Sequence, residues 1–494
     1  MNHSKRFFVV VVVVLALVAG TLGASAQAIN PGQGSTDVRV MNLNSDSTAS
    51  PVGVTAEYYN QAGTVESTKS QNLASLGTYD FLAADSGLTD GWKGSMVVSS
   101  TGEVAALGTT TYTGGSAPAS VGSYRGFDIG ATSIYFPNLQ QRPTQYSVVA
   151  VQNADSGTAD VSIYYYARNG TAYAGNPVVD HIPAGAQRTY DLSQKGVGSV
   201  PDLGITTPPG DGWLGAIRVV STNGKKLAGA VANFNVSYST AYPAALQGAN
   251  TLYFAAISRR VSAGNWLQFS GTIVQNLDEA ATANVTIYVT DRLGNPVFNF
   301  TDSIPALSAH GYNTRFVADT PADKWVAFQA AMGDNFNGAM YVTSDKPIVG
   351  LTDQQSLVTG FVGQFSYLGE ASGGPSVYAP QVYRVTCSGI VCQKSTGVIV
   401  YNPDASNSAA VTVRFINTNG SIAYQFNATV PARSSQGYNT RVLADTPPAD
   451  FDPLKTALGD NFKGSVWVTS DRAIIGVAQH FVPNEGDAYN AYSK

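Results

Sequence analysis

The chain has 494 residues, with 28 Lys and Arg against 33 Asp and Glu and a formal net charge of -5 at neutral pH. Charged residues make up only 12%, while Gly numbers 50 and Tyr 26, so the expected surface is hydroxyl and amide rather than ionic. No basic stripe exists, and nucleic acid is therefore not an expected partner, because phosphate binding needs clustered Lys and Arg to displace counterions. The first segment, 1–28, reads as a signal peptide: Lys5 and Arg6, an apolar run over 7–18, then Ala24-Ser25-Ala26-Gln27-Ala28. A charged start, a short apolar stretch and a small-residue cleavage site direct export, and the apolar run is too short for a lasting bilayer span. Cleavage leaves a secreted chain with no stable membrane span and a net charge of about -7. No Cys stands at the junction to carry a lipid.

After the leader one short pattern recurs four times: an aromatic, one residue, a Gly, then an alternating apolar strand. The copies are Trp92-Lys93-Gly94, Trp213-Leu214-Gly215, Phe336-Asn337-Gly338 and Phe462-Lys463-Gly464. Their spacing is about 120 residues, too long for a solenoid repeat and the size of one domain. Four modules are expected, over 36–130 (shortened), 131–248, 249–373 and 374–494.

Each module carries a strand of period two: Val54, Ala56, Tyr58; Val161, Ile163, Tyr165; Val285, Ile287, Val289; Val411, Val413, Phe415. A Gly follows at 63, 170, 294 and 420, and Asn169-Gly170 and Asn419-Gly420 suit a hairpin turn with positive φ. Three modules then read Ile182-Pro183-Ala184, Ile304-Pro305-Ala306 and Val430-Pro431-Ala432, which puts that strand end at an edge or in a loop. The signature strand is expected to turn tightly, at Thr101-Gly102, Asn223-Gly224 or Asp471-Arg472, and return. Helical periodicity is confined to 324–332, with a weak match at 454–458. The fold class is all-β: four tandem Ig-like antiparallel β-sandwich domains after an N-terminal signal peptide.

Module 1 is short between its hairpin Gly63 and Gly94 by about a dozen residues relative to the others, a missing loop visible in module 2 over 195–210. Between modules lies a further strand with Tyr135, Tyr253 or Tyr378 at its centre. It occurs three times for four modules, so one terminal module is expected to lack a strand and expose an edge.

The strand ends Val151-Gln152-Asn153 and Val274-Gln275-Asn276, the Tyr-rich strand, the Gly hairpin, Ile-Pro-Ala, and Val342-Thr343-Ser344 with Pro347-Ile348-Val349-Gly350 resemble the tandem repeats of secreted surface proteins of filamentous Chloroflexota-type bacteria. The resemblance covers nearly the whole mature chain. It implies β-sandwich modules of the cell envelope or extracellular matrix, with no catalytic residues to transfer.

The two cysteines, Cys387 and Cys392, are expected to close a local hairpin loop in an exported protein. Beyond the leader the histidines are His181, His310 and His480, one each in three modules at non-equivalent positions, which gives no catalytic or zinc constellation. Asp334 and Asp460, with Asp319 and Asp445 upstream, can be read as oxygen ligands for calcium or as turn residues, and the turn reading is preferred. Tyr58, Tyr59, Tyr164, Tyr165, Tyr166 and Tyr288 can stack on sugars or on one another, and cross-strand pairing is preferred. Sequons stand at Asn169, Asn235, Asn284, Asn299, Asn419 and Asn427, without modification expected in a bacterium. The expected role is a secreted, extracellular or cell-surface structural protein, not an enzyme and without cofactor or metal. It would form or decorate a filament, sheath or surface layer by self-association or with other envelope proteins. The alternative is an adhesin or carbohydrate-binding protein with glycans as partners.

Overall fold

The computed structural model describes residues 7–11, 29, 32–115, 120–204, 212–235, 238–358, 361–388, 391–482 and 485–494. Module 1 sets the plan with eight strands: β1 (Phe7–Val11), β2 (Gly32–Asn42), β3 (Val52–Asn60), β4 (Val65–Leu73), β5 (Thr78–Phe81), β6 (Gly94–Ser100), β7 (Val104–Gly114) and β8 (Ser120–Arg125). They pair as two antiparallel sheets, β1-β6-β3-β4 and β5-β2-β7-β8. The burial of β3 alternates from Val52 through Tyr58, so the period-two apolar set forms the inner face of its sheet.

The other modules repeat this order. In module 2 one half runs Val178–Ile182, Ala159–Ala167, Trp213–Ser221, Ser133–Arg142, the other runs Gln187–Asp191, Gln145–Asn153, Leu227–Asn235, Ser239–Pro243, and the hairpin pairing of Arg142 with Gln145 joins the two into one continuous sheet. Module 3 does the same with Pro296–Ile304, Ala283–Asp291, Asn335–Val358 and Ala249–Ser262, then Ala309–Asn313, Asn265–Asn276, Asn335–Val358 again and Phe361–Leu368. Module 4 follows with Asn461–Val482 as the shared strand. The chain is an all-β protein of repeated sandwiches. Strands ending at Ile182, Ile304 and Val430 are all at sheet edges, where the following Pro removes no ladder hydrogen bond.

One expectation is corrected. The signature strand does not turn back on itself as a hairpin. β6 pairs with β3 and β1, whereas β7 pairs with β2 and β8, so the chain crosses from one sheet to the other at Thr101-Gly102. In modules 3 and 4 the crossing has no break: Asn335–Val358 and Asn461–Val482 run extended through Asp345-Lys346 and Asp471-Arg472. A polar corner and a hairpin turn share a composition, and only the pairing partners separate them.

The strand between modules belongs to the module that follows it. Ser133–Arg142, Ala249–Ser262 and Gly374–Ser388 each pair with the signature strand downstream. Module 1 is thus the one without such a linker, and β1, from the apolar N-terminal run, occupies the place.

Two helices fill the stretch between the fifth strand and the signature. They are α1 (Ala322–Met332) and α2 (Pro448–Leu458), starting beyond Pro321 and Pro447 and ending at Gly333 and Gly459, both with positive φ. Phe328 and Met332, and likewise Leu454 and Leu458, are their buried residues. Module 1 has only a 3-10 turn there, Ala83–Asp85.

The chain divides into two compact units: Met1–Ser75, Tyr79–Gln247 and Leu307–Ala309 form one, and Leu76–Thr78, Gly248–Ala306 and His310–Lys494 the other. Within the first, module 1 packs on module 2: Arg188 donates to the Gln61 carbonyl at 2.7 Å and Ser95 Oγ to that of Gly185. Within the second, Thr290 Oγ1 donates to the Arg433 carbonyl and Gln436 Nε2 to that of Arg292, both at 2.8 Å. The core of module 3 also takes in Tyr401, Ile475, Val477 and Ala488 of module 4. Modules 3 and 4 therefore share apolar burial.

Candidate functional site

The repeated signature explains itself by packing. Gly94, Gly215, Gly338 and Gly464 face Asn60, Ala167, Asp291 and Asn417 across the sheet. A Cβ at any of the four would lie well inside contact distance of a neighbouring carbonyl, that of Tyr59, Tyr166, Thr290 or Ile416. It would also meet the ring two residues earlier, that of Trp92, Trp213, Phe336 or Phe462. The aromatic folds over the Gly, and the Gly has no side chain because ring and carbonyl occupy the space. Trp213, Phe336 and Phe462 are buried; Trp92 is half-buried and donates its Nε1 hydrogen to Glu66 at 2.6 Å.

The linker tyrosines stand opposite the signature strand on its outer face. Tyr378 stacks on Trp467 at 6.1 Å and 5°, Tyr253 lies 6.2 Å from Tyr341, and Tyr135 has the Arg218 guanidinium 6.0 Å from its ring centre. Tyr288 stacks on Tyr341 at 4.5 Å, and Arg433 covers that ring at 4.5 Å. Tyr58 and Tyr165 point into the cores instead. Most of these rings are occupied by one another, as cross-strand pairs.

Two recurrent clips escaped the sequence reading. A buried Asn ends or follows the second strand of every module: Asn42, Asn153, Asn276 and Asn402, none more than 1% exposed. Asn276 Nδ2 donates to the carbonyls of Ala281, Ile304 and Pro305 at 2.8 to 3.1 Å, and Asn402 to those of Asn407, Val430 and Pro431. Asn153 reaches Gly157 and Ile182, and Asn42 reaches Leu73 and Ala74. One side chain thus ties the second strand to the end of the fourth, across the sandwich. The second clip is a tyrosine on the last strand. Tyr242 and Tyr489 donate to the Asn138 and Gln381 carbonyls at 2.7 Å, and Tyr367 to that of Ala256, each acceptor lying at a bulge of the leading strand. The recurring Asn at the end of an apolar strand was the available signal.

The polar candidates have local partners. Asp334 and Asp460 pair with Arg259 and Arg384 at 3.3 and 3.2 Å, while Asp319 and Asp445 accept the Gly311 and Gly437 amides at 2.8 and 2.6 Å. Among the described residues no group of three His, Cys, Asp or Glu is placed to hold a metal ion. His181 and His310 bond Asp160 and Asp302 at 2.7 Å, and the structure does not bring the three histidines into one site. His480 is fully buried, 3.0 Å from the Gln381 carbonyl, and opposite Asp487 at 3.4 Å; burial holds its imidazole below the ordinary value. Cys387 and Cys392 face each other across their hairpin and are bonded.

Module 1 carries a cleft where modules 3 and 4 carry a helix. It holds about 380 Å³ and is lined by Val38, Tyr58, Phe81, Leu88, Trp92 and Met96, with Thr36 and Asp90 among its polar groups. In module 3 the counterparts of Tyr58, Trp92 and Met96 are Val289, Phe336 and Met340, which share one core cluster with Phe328 and Met332 of α1. The shortened segment leaves that space open. Burial, with Asp37 nearby, pushes the Tyr58 phenol up to about 12, so it stays neutral and can donate a hydrogen bond.

No family model matches the chain, and no curated protein matches it either. Among solved structures, Thermotoga maritima 1070 is similar over 25% of this chain and 94% of its own, at 13% identity and a TM-score of 0.19. The Anabaena sensory rhodopsin transducer is similar over 21% and 87%, at 16% identity and a TM-score of 0.16. At those scores neither likeness bears on function. Among the described residues no helix is long and apolar enough to cross a membrane.

Proposed function

We propose that this is a secreted, non-catalytic surface protein whose sandwich modules form or decorate an extracellular filament, sheath or layer. The observation that carries the reading is the use of each linker as the leading strand of the next module, where it pairs with that module's signature strand through main-chain hydrogen bonds. The recurrent residues support it as well, since the signature, the asparagine clip and the tyrosine clip all serve packing. Electron microscopy of the producing cell, with antibody against the mature chain, tests it: label on a surface layer or filament is expected. Protein found only in the cell interior, or free in the medium with no assembly at high concentration, overturns it.

A second reading, a carbohydrate-binding or adhesive protein, is favoured by one specific feature, the cleft of module 1 with Trp92 and Tyr58 in its wall. Edge-to-face at 6.2 Å, these rings offer an apolar surface beside Asp90 and Thr36. A glycan array with the mature chain and a Trp92→Ala variant decides it: binding lost in the variant supports the reading, and no binding by the parent removes it.

A further inference from the structure

The pairing of β1 with β6 reproduces the leading-strand register of the other modules. In modules 2, 3 and 4, Ile134 faces Val219, Leu252 faces Val342 and Val377 faces Val468. Two residues on, Phe136 faces Ile217, Phe254 faces Met340 and Ala379 faces Val466. In module 1, Val9 faces Val98 and Val11 faces Met96. Counted from the signature Gly, these are the same positions. The N-terminal segment therefore occupies the seat that a linker occupies elsewhere, although 7–11 is also the apolar part of a leader with a cleavage site at 24–28.

Export removes that strand. β6 is then left with β3 on one side and nothing on the other, over a stretch that includes Met96 and Val98, both at the centre of the module core. An edge with a row of unpaired N–H and C=O groups beside core side chains is a template for another strand. No equivalent vacancy arises in modules 2 to 4, whose leading strands lie inside the mature chain.

We infer that in the exported protein the β6 edge, Gly94–Ser100, accepts an extended strand from a different polypeptide, in the antiparallel register now held by Phe7–Val11. This rests on the secreted, strand-joined reading above and names the partner of its free end. The three internal linkers define the occupant: Ser133-Ile134-Tyr135-Phe136, Thr251-Leu252-Tyr253-Phe254 and Ser376-Val377-Tyr378-Ala379 share a hydroxyl residue, a buried aliphatic, a Tyr on the opposite face of the strand and a buried apolar residue. In module 1 the position of that Tyr faces Val97, where the others have Arg218, Tyr341 and Trp467. The residue directly opposite a donor's central side chain there is aliphatic, and a β-branched residue suits that pair better than a Tyr. The donor is thus an uncharged terminal segment of another exported chain with aliphatic residues at two alternate positions. A second copy does not supply it, since its own linkers are held within its own modules.

The test uses the mature chain starting at Ile29 and a fluorescent peptide with the sequence of residues 249–257. Saturable binding of one peptide per chain is expected, with slowed hydrogen exchange in β6, and a scrambled peptide should bind at least 10-fold more weakly. A peptide with Val in place of its Tyr should bind no more weakly than the parent peptide. A second protein, the uncleaved chain carrying Thr-Leu-Tyr-Phe in place of residues 8–11, fills its own edge and should bind at least 10-fold more weakly. Equal binding by both proteins, or none by the mature chain, overturns the inference. Mass spectrometry of the exported protein separates the two failures. A retained leader sinks the cleavage premise and the acceptor together, whereas a removed leader with no peptide binding sinks the acceptor and leaves the surface role standing.

Discussion

Modules 1 and 3 share one strand order, with Asn335–Val358 of module 3 serving as both its sixth and its seventh strand, and they differ at two further places. Module 3 closes one end of its sandwich with α1, whose Phe328 and Met332 enter the core, and takes its leading strand from the linker Ala249–Ser262. Module 1 has a 3-10 turn and an open cleft in place of the helix, and takes its leading strand from the N-terminal segment Phe7–Val11. The sheets survive without the helix, because a helix between the fifth and sixth strands adds apolar burial but no ladder hydrogen bonds. A leading strand is different in kind: it satisfies the main chain of the signature strand and covers its edge, so its loss leaves polar groups without partners.

The largest contrast should come from the helix. Phe328→Ala is expected to cost about 4 kcal/mol, because the ring lies within the aromatic group of Phe298, Phe300 and Trp325. Leu88→Ala, in the wall of the module 1 cleft, should cost less than about 1 kcal/mol, since the space beside it is already open. Denaturant melts followed by hydrogen exchange in each module measure both, and equal costs would mean that the cleft is closed in solution.

The signature glycines sharpen the comparison next. Gly338→Val should cost about 3 kcal/mol, because the Thr290 carbonyl and the Phe336 ring cannot both withdraw. Gly94→Val should cost somewhat less, since Trp92 is half-buried and can swing outward. A Gly338→Val protein with unchanged melting would remove the packing account of the motif. The asparagine clips follow: Asn276→Ala leaves three carbonyls without their donor and should cost about 3 kcal/mol, against about 2 for Asn42→Ala, which serves two. The same exchange measurements rank them, and a reversed order would count against the clip.

The smallest effect is that of pH on module 4. Burial depresses the His480 imidazole, so the unfolded chain takes up its proton first as pH falls. That contribution is complete above the ordinary value of 6.5 and is lost progressively below it. Melting at pH 5.5 should fall by a few degrees from pH 7.5, and by less in His480→Gln. Identical pH profiles for the two proteins would show that His480 is not the group responsible.

Period-two patterning exposed the inner faces of the strands, as in Val54, Ala56 and Tyr58, and the hairpin glycines marked the turns between the third and fourth strands. The stretch 324–332 announced α1, whose apolar residues recur at helical spacing, and Cys387 and Cys392 were close enough to face each other across a hairpin. The crossing at Asp471-Arg472 was not legible, since a polar corner between two apolar runs has the same local pattern whether the chain turns back or passes on. The asparagine clip was missed because a lone Asn at a strand end looks like a turn residue until the carbonyls it reaches, about 30 residues on, are seen beside it.

The amino-acid order alone determined the class of fold and the inner faces of its strands, because these depend on local spacing and composition. Tertiary structure alone decided which module owns each linker strand, that modules 3 and 4 share a core, and that Phe7–Val11 stands where the other modules have a linker strand. Those are matters of pairing between distant segments. Main-chain hydrogen bonds carry no residue identity, so the partner a strand chooses is fixed by the geometry around it and not by the letters it is written in.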